Sequence, residues 1–191
     1  MPHYFEAFPT VRYDIEKNNR TELLTNLMVR FKITEILKRN KSIYFDYSIP
    51  ENDRPDTVAY RVYGDATLDW LIFLINDIYD VHYDWPMSSA SLNKYIKSIY
   101  GSVPEAMATV KEYRQILNEQ TILFNGTIVP KRTLVVDLNT YNGLPVLERE
   151  VIDAYSYEIE KNEERRNITL ISNKYLKGII QSIEQVFEEN D

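Results

Sequence analysis

The residues of this chain that could do chemistry are few and widely spaced. Only His3 and His82 are histidines, and no Gly-x-Ser-x-Gly elbow supplies a serine for a triad built on His82. Asp80, His82 and Asp84 offer three potential metal ligands at alternate positions, without a helical histidine pair to complete a site. Since a loop histidine most often makes ordinary hydrogen bonds, we predict no metal site and no catalytic residue.

Neither the glycines nor the carboxylates form a recognisable motif, the former for cofactor binding and the latter for acid-base chemistry. The five glycines are too widely separated for a phosphate-binding loop or a dinucleotide fingerprint, so we predict no cofactor. One segment is crowded with the acidic residues Glu158, Glu160, Glu163 and Glu164. Glycoside cleavage by paired carboxylates therefore stays open as one hypothesis. Basic residues are interleaved with the acidic ones, which is more typical of a solvated or partner-facing helix surface.

Charge and composition exclude several classes of partner. The 191 residues, enough for one decorated domain or two small ones, include 29 acidic and 22 basic side chains, a formal net charge of -7. This balance disfavours nucleic acid as a partner. There is no cysteine, which suits folding in a reducing cytosol. No signal peptide is evident, and the longest apolar run, Trp70–Ile75, is far short of the roughly 20 residues that span a bilayer. We expect no membrane association.

The patterning predicts an α+β fold. In the first half, alternation predicts strands over residues 8–15 and 41–49, and a short helix around 34–38. Pro55 fits the first turn of a helix that runs to Tyr63, with Asp53 as its cap and Gly64 as its end. A second, more apolar helix follows, capped by Asp65 or Thr67.

The second half is less regular. Helical spacing predicts a helix from Ser88 or Ser89 to Gly101, and Asn125-Gly126 is typical of a hairpin tip. A further strand is predicted over residues 133–138, a charged helix over 148–166 and a short strand over 167–171. The last segment, 172–188, is a clear amphipathic helix.

Two stretches resemble known families. The strand at 41–49, the phrase DTVAYRVYGD and the run to Asn76 resemble a lysin-motif (LysM) module, a strand-helix-helix-strand unit, but Tyr83-Asp84-Trp85-Pro86 stands where its closing strand should be. The longer pattern RPDTVAYRVYGDATLDWLIFLIND, then YDVHYDWPMS, then a helix with LNKYI, is similar to the baseplate wedge subunit called protein 53 of T4-like contractile-tailed phages. The phrase AYSYEIEKNEERRNITLI, followed by an amphipathic helix, is similar to the ending of that family.

The second resemblance implies a structural role. It implies a non-enzymatic clamp in the virion tail baseplate, assembled in the host cytoplasm, that joins neighbouring wedges around the tail hub. Its partners would be other wedge proteins, including helical core-bundle subunits and the lysozyme-like sheath initiator. Together the resemblances suggest an N-terminal extension at 1–40, a LysM-like module at 41–101 and a mixed β/α region at 102–191. The alternative is a LysM-like module that binds peptidoglycan.

Large aromatic and aliphatic side chains are the candidates for protein contact, since hot spots at interfaces are dominated by Trp, Tyr and Arg. Fifteen tyrosines raise the aromatic content to 13%. The aromatic candidates are Trp70, Tyr79, Tyr83 and Trp85. The terminal helix provides a second candidate contact through Leu176, Ile180, Ile183 and Phe187. We expect Trp70 to be a core residue and Trp85 to be presented at the surface.

Overall fold

The computed structural model describes residue 5, residues 8–17, 19–28 and 42–182, and the backbone of residues 183–188. The α+β class is confirmed, with short helices and small antiparallel sheets along the chain. Backbone contacts divide the chain into unit 1, Met1–Pro86 with Arg165–Asp191, and unit 2, Met87–Glu164. Unit 2 is thus an insertion in the sequence of unit 1. The sequence-based divisions after residues 40 and 101 stay a prediction.

The elements fall within these ranges. In chain order they are β1 (Thr10–Tyr13), β2 (Glu22–Thr25), β3 (Tyr44–Ser48), α1 (Pro55–Tyr63), a 3-10 turn (Ala66–Leu68), α2 (Asp69–Ile75), α3 (Val81–Asp84), α4 (Ser89–Tyr100), α5 (Val103–Ala108), β4 (Val110–Asn118), β5 (Thr121–Ile122), β6 (Ile128–Val129), β7 (Arg132–Val136), α6 (Leu138–Gly143), a 3-10 turn (Val146–Glu148), β8 (Arg149–Asp153), α7 (Ala154–Glu164), β9 (Asn167–Ile171) and α8 (Asn173–Glu188). The short helix expected around 34–38 lies outside the described residues.

Local signals set the ends of α1. Pro55 begins the helix, and Gly64 ends it with a left-handed φ of 76° while its N–H donates to the carbonyl of Tyr60 at 2.9 Å. The expected cap by Asp53 is wrong, because Arg54 occupies the cap position without a side-chain hydrogen bond. The Asp53 carboxylate instead accepts from the guanidinium of Arg61, with Nη2 and Oδ1 3.1 Å apart. An aspartate placed to cap a helix can thus instead pair with a cation of that same helix.

The sheet of unit 1 joins distant parts of the sequence. Strand β9 pairs antiparallel with β3, from Tyr44 opposite Ile171 to Ser48 opposite Asn167. The segment around Trp85, expected to replace a closing strand, is a short helix and its C-terminal end. The strand that closes the strand-helix-helix unit therefore comes from beyond the whole of unit 2.

An asparagine side chain lies against the outer edge of β9. Asn76, just after α2, accepts from the N–H of Thr169 at 2.8 Å and donates to the carbonyl of Thr169 at 2.9 Å. The same amide nitrogen also donates to the carbonyl of Ile72 in α2. The Asn76 amide thus stands in for one residue of a neighbouring strand, and it joins α2 to the sheet.

The core of unit 1 lies between this sheet and the helices. The residues that are at most 2% exposed there are Ile49, Val58, Ala59, Leu68, Leu71, Ile72, Leu170 and Ile171. Helix α8 closes one side through Leu176, Ile179 and Ile180, as the predicted amphipathic pattern requires. The hydroxyl of Tyr63 accepts from the N–H of Ile171 at 3.1 Å within this core.

The buried hydroxyl of Tyr63 should make the stability of the fold decrease at alkaline pH. Burial raises the pKa of Tyr63 to about 12, the hydrogen bond from Ile171 opposing it only in part, against about 10 in an unfolded chain. The folded state therefore keeps this proton where the unfolded state has lost it. Its contribution is complete below pH 10 and falls by about 2 to 3 kcal/mol as pH rises through 12. Urea unfolding at pH 9 and pH 12 should show this loss of unfolding free energy, and the loss should be smaller in Tyr63→Phe. An equal loss between the two pH values in both proteins would contradict the prediction.

Unit 2 is a three-stranded antiparallel sheet with order β7-β4-β8, beside α4, α5 and α7. The predicted hairpin at Asn125-Gly126 and the strand at 133–138 are confirmed, as β5 with β6 and as β7. The expected charged helix over 148–166 is wrong in its first part. Residues Arg149–Asp153 pair with β4 as strand β8, and the helix begins only at Ala154.

The core of unit 2 is small. It consists of Leu92, Ile96, Ala106 and Ala154, with partly buried aromatic and aliphatic side chains around them. Asn162, only 2% exposed, accepts from the N–H of Met87 at 2.7 Å and donates to its carbonyl at 3.0 Å. Each unit therefore uses one asparagine amide to pair with the backbone of a distant segment.

Candidate functional site

The carboxylates that suggested metal or acid chemistry are engaged in structural contacts. Asp80 accepts from the N–H of His82 at 2.9 Å and caps α3. Asp84 accepts from the N–H groups of Asp80 and Tyr79, and these bonds lower the pKa of its carboxyl. Among the described residues, no group of three or more His, Asp or Glu side chains is placed to hold a metal.

The acidic cluster of α7 is paired with cations and a phenol. Glu160 binds Arg114 with Nη2 and Oε2 2.8 Å apart, and this hydrogen bond lowers the pKa of Glu160. Glu164 pairs with Lys161 at 2.8 Å, and Glu158 accepts from the hydroxyl of Tyr100 at 3.1 Å. These contacts hold α7 to the sheet, to α4 and to its own surface, and Arg114 also pairs with Glu112 at 2.7 Å.

The segment around α3 presents tyrosines on a fixed backbone. The side chains of Tyr79 and Tyr83 are 85% and 54% exposed. The hydrogen bonds of Asp84 to the N–H groups of Tyr79 and Asp80 hold the turn that carries them. A rigid turn lowers the entropy lost when its side chains are ordered on binding. We call these two side chains the tyrosine surface of unit 1, and their contact with a partner stays a prediction.

Of the two tryptophans, Trp85 is more deeply buried than Trp70, contrary to expectation. Trp85 is only 6% exposed, donates its Nε1–H to the carbonyl of Asp53 at 2.8 Å and meets Phe73 edge to face. The expectation that Trp85 is presented at the surface is wrong, because its indole fills a gap between α1 and α2. Trp70 is half-buried and packs against the other side of the core.

The terminal helix offers a smaller surface than its sequence indicates. Leu176 and Ile180 are buried in the core of unit 1, so neither side chain is open to a partner. The side chains of Ile183 and Phe187 lie outside the described residues. Contact through the end of α8 stays a prediction.

A shallow cleft of about 280 Å³ opens beside the tyrosine surface. Its lining residues are Asn76, Asp77, Ile78, Asp84, Arg165, Asn167 and Ile168. Most of these residues carry polar or charged side chains, and the positive charge of Arg165 helps to lower the pKa of Asp84. Such a cleft suits a polar ligand or a polar loop of a partner.

Sequence reasoning missed a group of exposed apolar side chains in unit 2. Ile122, Phe124 and Ile128 of the β5–β6 hairpin are all more than half exposed. The available signal was the absence of charge from residues 120–130 in a chain that is 27% charged. No helix within the described residues combines the length and the apolarity needed to cross a bilayer.

Comparison with known proteins relates the chain to phage tail proteins. Residues 4–104 match the family model described as base plate wedge protein 53. Over nearly its full length the chain is also similar to the baseplate wedge protein gp53 of Enterobacteria phage T4. The two are 21% identical, and the similarity covers 98% of this chain and 95% of that protein.

Proposed function

Because the chain belongs to the base plate wedge protein 53 family, we propose that it clamps neighbouring wedges of a phage tail baseplate together around the hub during assembly. As a member of this family it is a structural protein of the virion tail baseplate, not an enzyme, and it interacts with other baseplate proteins. The clamp, and assembly in the host cytoplasm, are the finer proposal. The partners proposed are the helical core-bundle subunits and the lysozyme-like sheath initiator.

The observation that carries the proposal is the division into two compact units with different exposed side chains. Unit 1 presents Tyr79 and Tyr83 beside a cleft lined largely by polar residues, and unit 2 presents Ile122, Phe124 and Ile128 on a hairpin. A protein that joins two bodies needs two separate contact surfaces. Tyrosines among polar residues fit one kind of partner surface, and a group of uncharged apolar side chains fits another.

The tyrosine surface is tested by a double substitution. Tyr79→Ala with Tyr83→Ala should weaken binding to purified wedge proteins encoded beside this gene by about tenfold or more. Stability should change by less than about 0.5 kcal/mol, because both side chains are exposed. Isothermal titration and urea unfolding measure the two effects.

A matched control separates this surface from any exposed tyrosine. Tyr60, 66% exposed on α1, carries the same side chain elsewhere on unit 1, and Tyr60→Ala should bind as the wild type does. If the wild-type chain binds no wedge protein, the clamp proposal fails. If the double variant binds normally, the clamp contacts unit 1 elsewhere.

Peptidoglycan binding is the second candidate function. It is favoured by the strand-helix-helix order of unit 1, by the antiparallel pairing of β9 with β3 and by the polar cleft at the start of β9. Retention of the purified chain on sedimented cell wall would support this function. Absence of retention at a saturating wall concentration would remove it.

A further inference from the structure

The β5–β6 hairpin is uncharged over its whole length. Residues 120–130, QTILFNGTIVP, contain no Asp, Glu, Lys or Arg, although charged residues make up 27% of the chain. Their aliphatic and aromatic side chains are nonetheless open to solvent: Ile122 is 68% exposed, Phe124 is fully exposed and Ile128 is 59% exposed. Exposed large apolar side chains grouped in one place mark an interaction site more often than scattered ones do. We call residues 120–130 the arm.

The backbone of the arm is held by its own hydrogen bonds. At the base, the side chain of Asn118 donates to the carbonyl of Pro130 at 2.9 Å. Near the tip, the N–H of Leu123 donates to the carbonyl of Thr127 at 2.9 Å, and the N–H of Thr127 donates to the side chain of Asn125 at 3.0 Å. Gly126, with a φ of 80°, takes the left-handed conformation that this tight turn requires. The arm is therefore shaped without burying its apolar side chains.

The arm continues the β4–β7 pairing outward beyond Asn118 and Arg132 as a two-stranded projection. Within the described residues, β5 and β6 pair only with each other. An isolated two-stranded hairpin is marginally stable in water, so burial of the arm against another surface would stabilise it. A preformed loop also binds with a smaller entropic cost than a flexible one.

We propose that the arm docks into an uncharged, apolar recess of a protein subunit in the adjacent wedge, with Phe124 as the side chain that enters it. This inference rests on the proposed clamp function and names the surface of unit 2 that performs it. Unit 1 would hold the chain to its own wedge through the tyrosine surface. The arm would then supply the second contact that a clamp requires.

The chemistry of the arm selects a protein as the occupant. Nucleic acid is disfavoured, because the arm has no cation and the chain carries a net charge of -7. Membrane-binding segments combine apolar side chains with many Lys or Arg, whereas the arm itself contains neither, and of the two cations that follow it Lys131 is paired with Glu150 at 2.8 Å. An uncharged arm can enter an apolar recess without the cost of removing a charge from water. A charged recess would be disfavoured, because the arm has no charged side chain to pair with it.

The test compares two associations of the full-length chain. Phe124→Asp places a carboxylate in the recess. It should lower the affinity of one chain-loaded wedge for another by about tenfold or more, measured by analytical ultracentrifugation of reconstituted wedges. Binding of the variant chain to a single wedge should equal that of the wild type. The matched control is Ala90→Asp, which adds the same charge at an exposed position in the first turn of α4 and should associate normally.

The other outcomes are distinct. If wedges loaded with the Phe124→Asp chain associate as wild-type wedges do, the arm is not the contact and the inference is overturned. The clamp proposal is then left to other surfaces of the chain. If Phe124→Asp lowers the thermal unfolding temperature, the arm packs within the chain and the inference is overturned. If the isolated wild-type chain forms dimers that Phe124→Asp abolishes, a second copy is the occupant and the inference is also overturned. If wild-type wedges do not associate at all, the clamp itself fails.

Discussion

Trp85→Ala is expected to destabilise unit 1 by about 3 to 5 kcal/mol, the range for removing a large aromatic side chain from a packed core. The indole is 6% exposed and packs with Val58, Ala59 and Ile72. Its removal leaves a cavity and also leaves the carbonyl of Asp53 without the Nε1–H that it accepts. A loss of this size is a large fraction of the stability of an ordinary domain.

Two further variants show which part of the loss comes from which contact. Trp85→Phe keeps much of the ring packing but removes the hydrogen bond, so it should cost less than the alanine variant. Trp70→Ala should also cost less than Trp85→Ala, because Trp70 is only partly buried. Urea unfolding followed by circular dichroism measures all three variants. A cost below about 1 kcal/mol for Trp85→Ala would contradict burial of this side chain.

Asn76→Ala is the second large expected effect, at about 2 to 4 kcal/mol. The substitution leaves both the N–H and the carbonyl of Thr169 without the amide that pairs with them. Each buried backbone group left unsatisfied costs about 1 to 3 kcal/mol. Because water has partial access to this edge of β9, the total cost for the two groups should lie below the sum of two full penalties.

Hydrogen exchange locates the effect of this substitution. In Asn76→Ala the amide of Thr169 should exchange much faster than in the wild type, because its acceptor is gone. Asn139→Ala, at an exposed position in α6 of unit 2, is the matched control and should leave both stability and exchange unchanged. Unchanged exchange at Thr169 in the Asn76 variant would show that the backbone of β9 is held by other contacts.

Signals carried by neighbouring residues were predictable from the sequence. Pro55 and Gly64 fixed the ends of α1, and Asn125-Gly126 fixed the hairpin tip, because each acts through its own backbone preferences. The family resemblance was similarly carried by short phrases of neighbouring residues, and the family model matches residues 4–104, which include the phrases of the first half.

Features that depend on distant partners were not predictable. Residues Arg149–Asp153 are as charged as the helix after them, and only their pairing with β4 makes them a strand. Trp85 is buried because the carbonyl of Asp53 and the ring of Phe73 lie beside it in space. The arm was recognised as a hairpin, but its exposure depends on what the rest of unit 2 leaves uncovered.

The pairing of β9 with β3 has a consequence for the order in which a newly made chain folds. Strand β3 and helices α1 and α2 leave the ribosome early, but the strand that covers their apolar side chains is made only after Glu164. Unit 2 is complete in sequence before β9 exists, so it is free to fold first, and unit 1 closes last. Translation that stops between the two strands would release a chain whose Leu71 and Ile72 have no Leu170 or Ile171 to pack near, and such a chain would be a substrate for chaperones and proteases rather than for assembly.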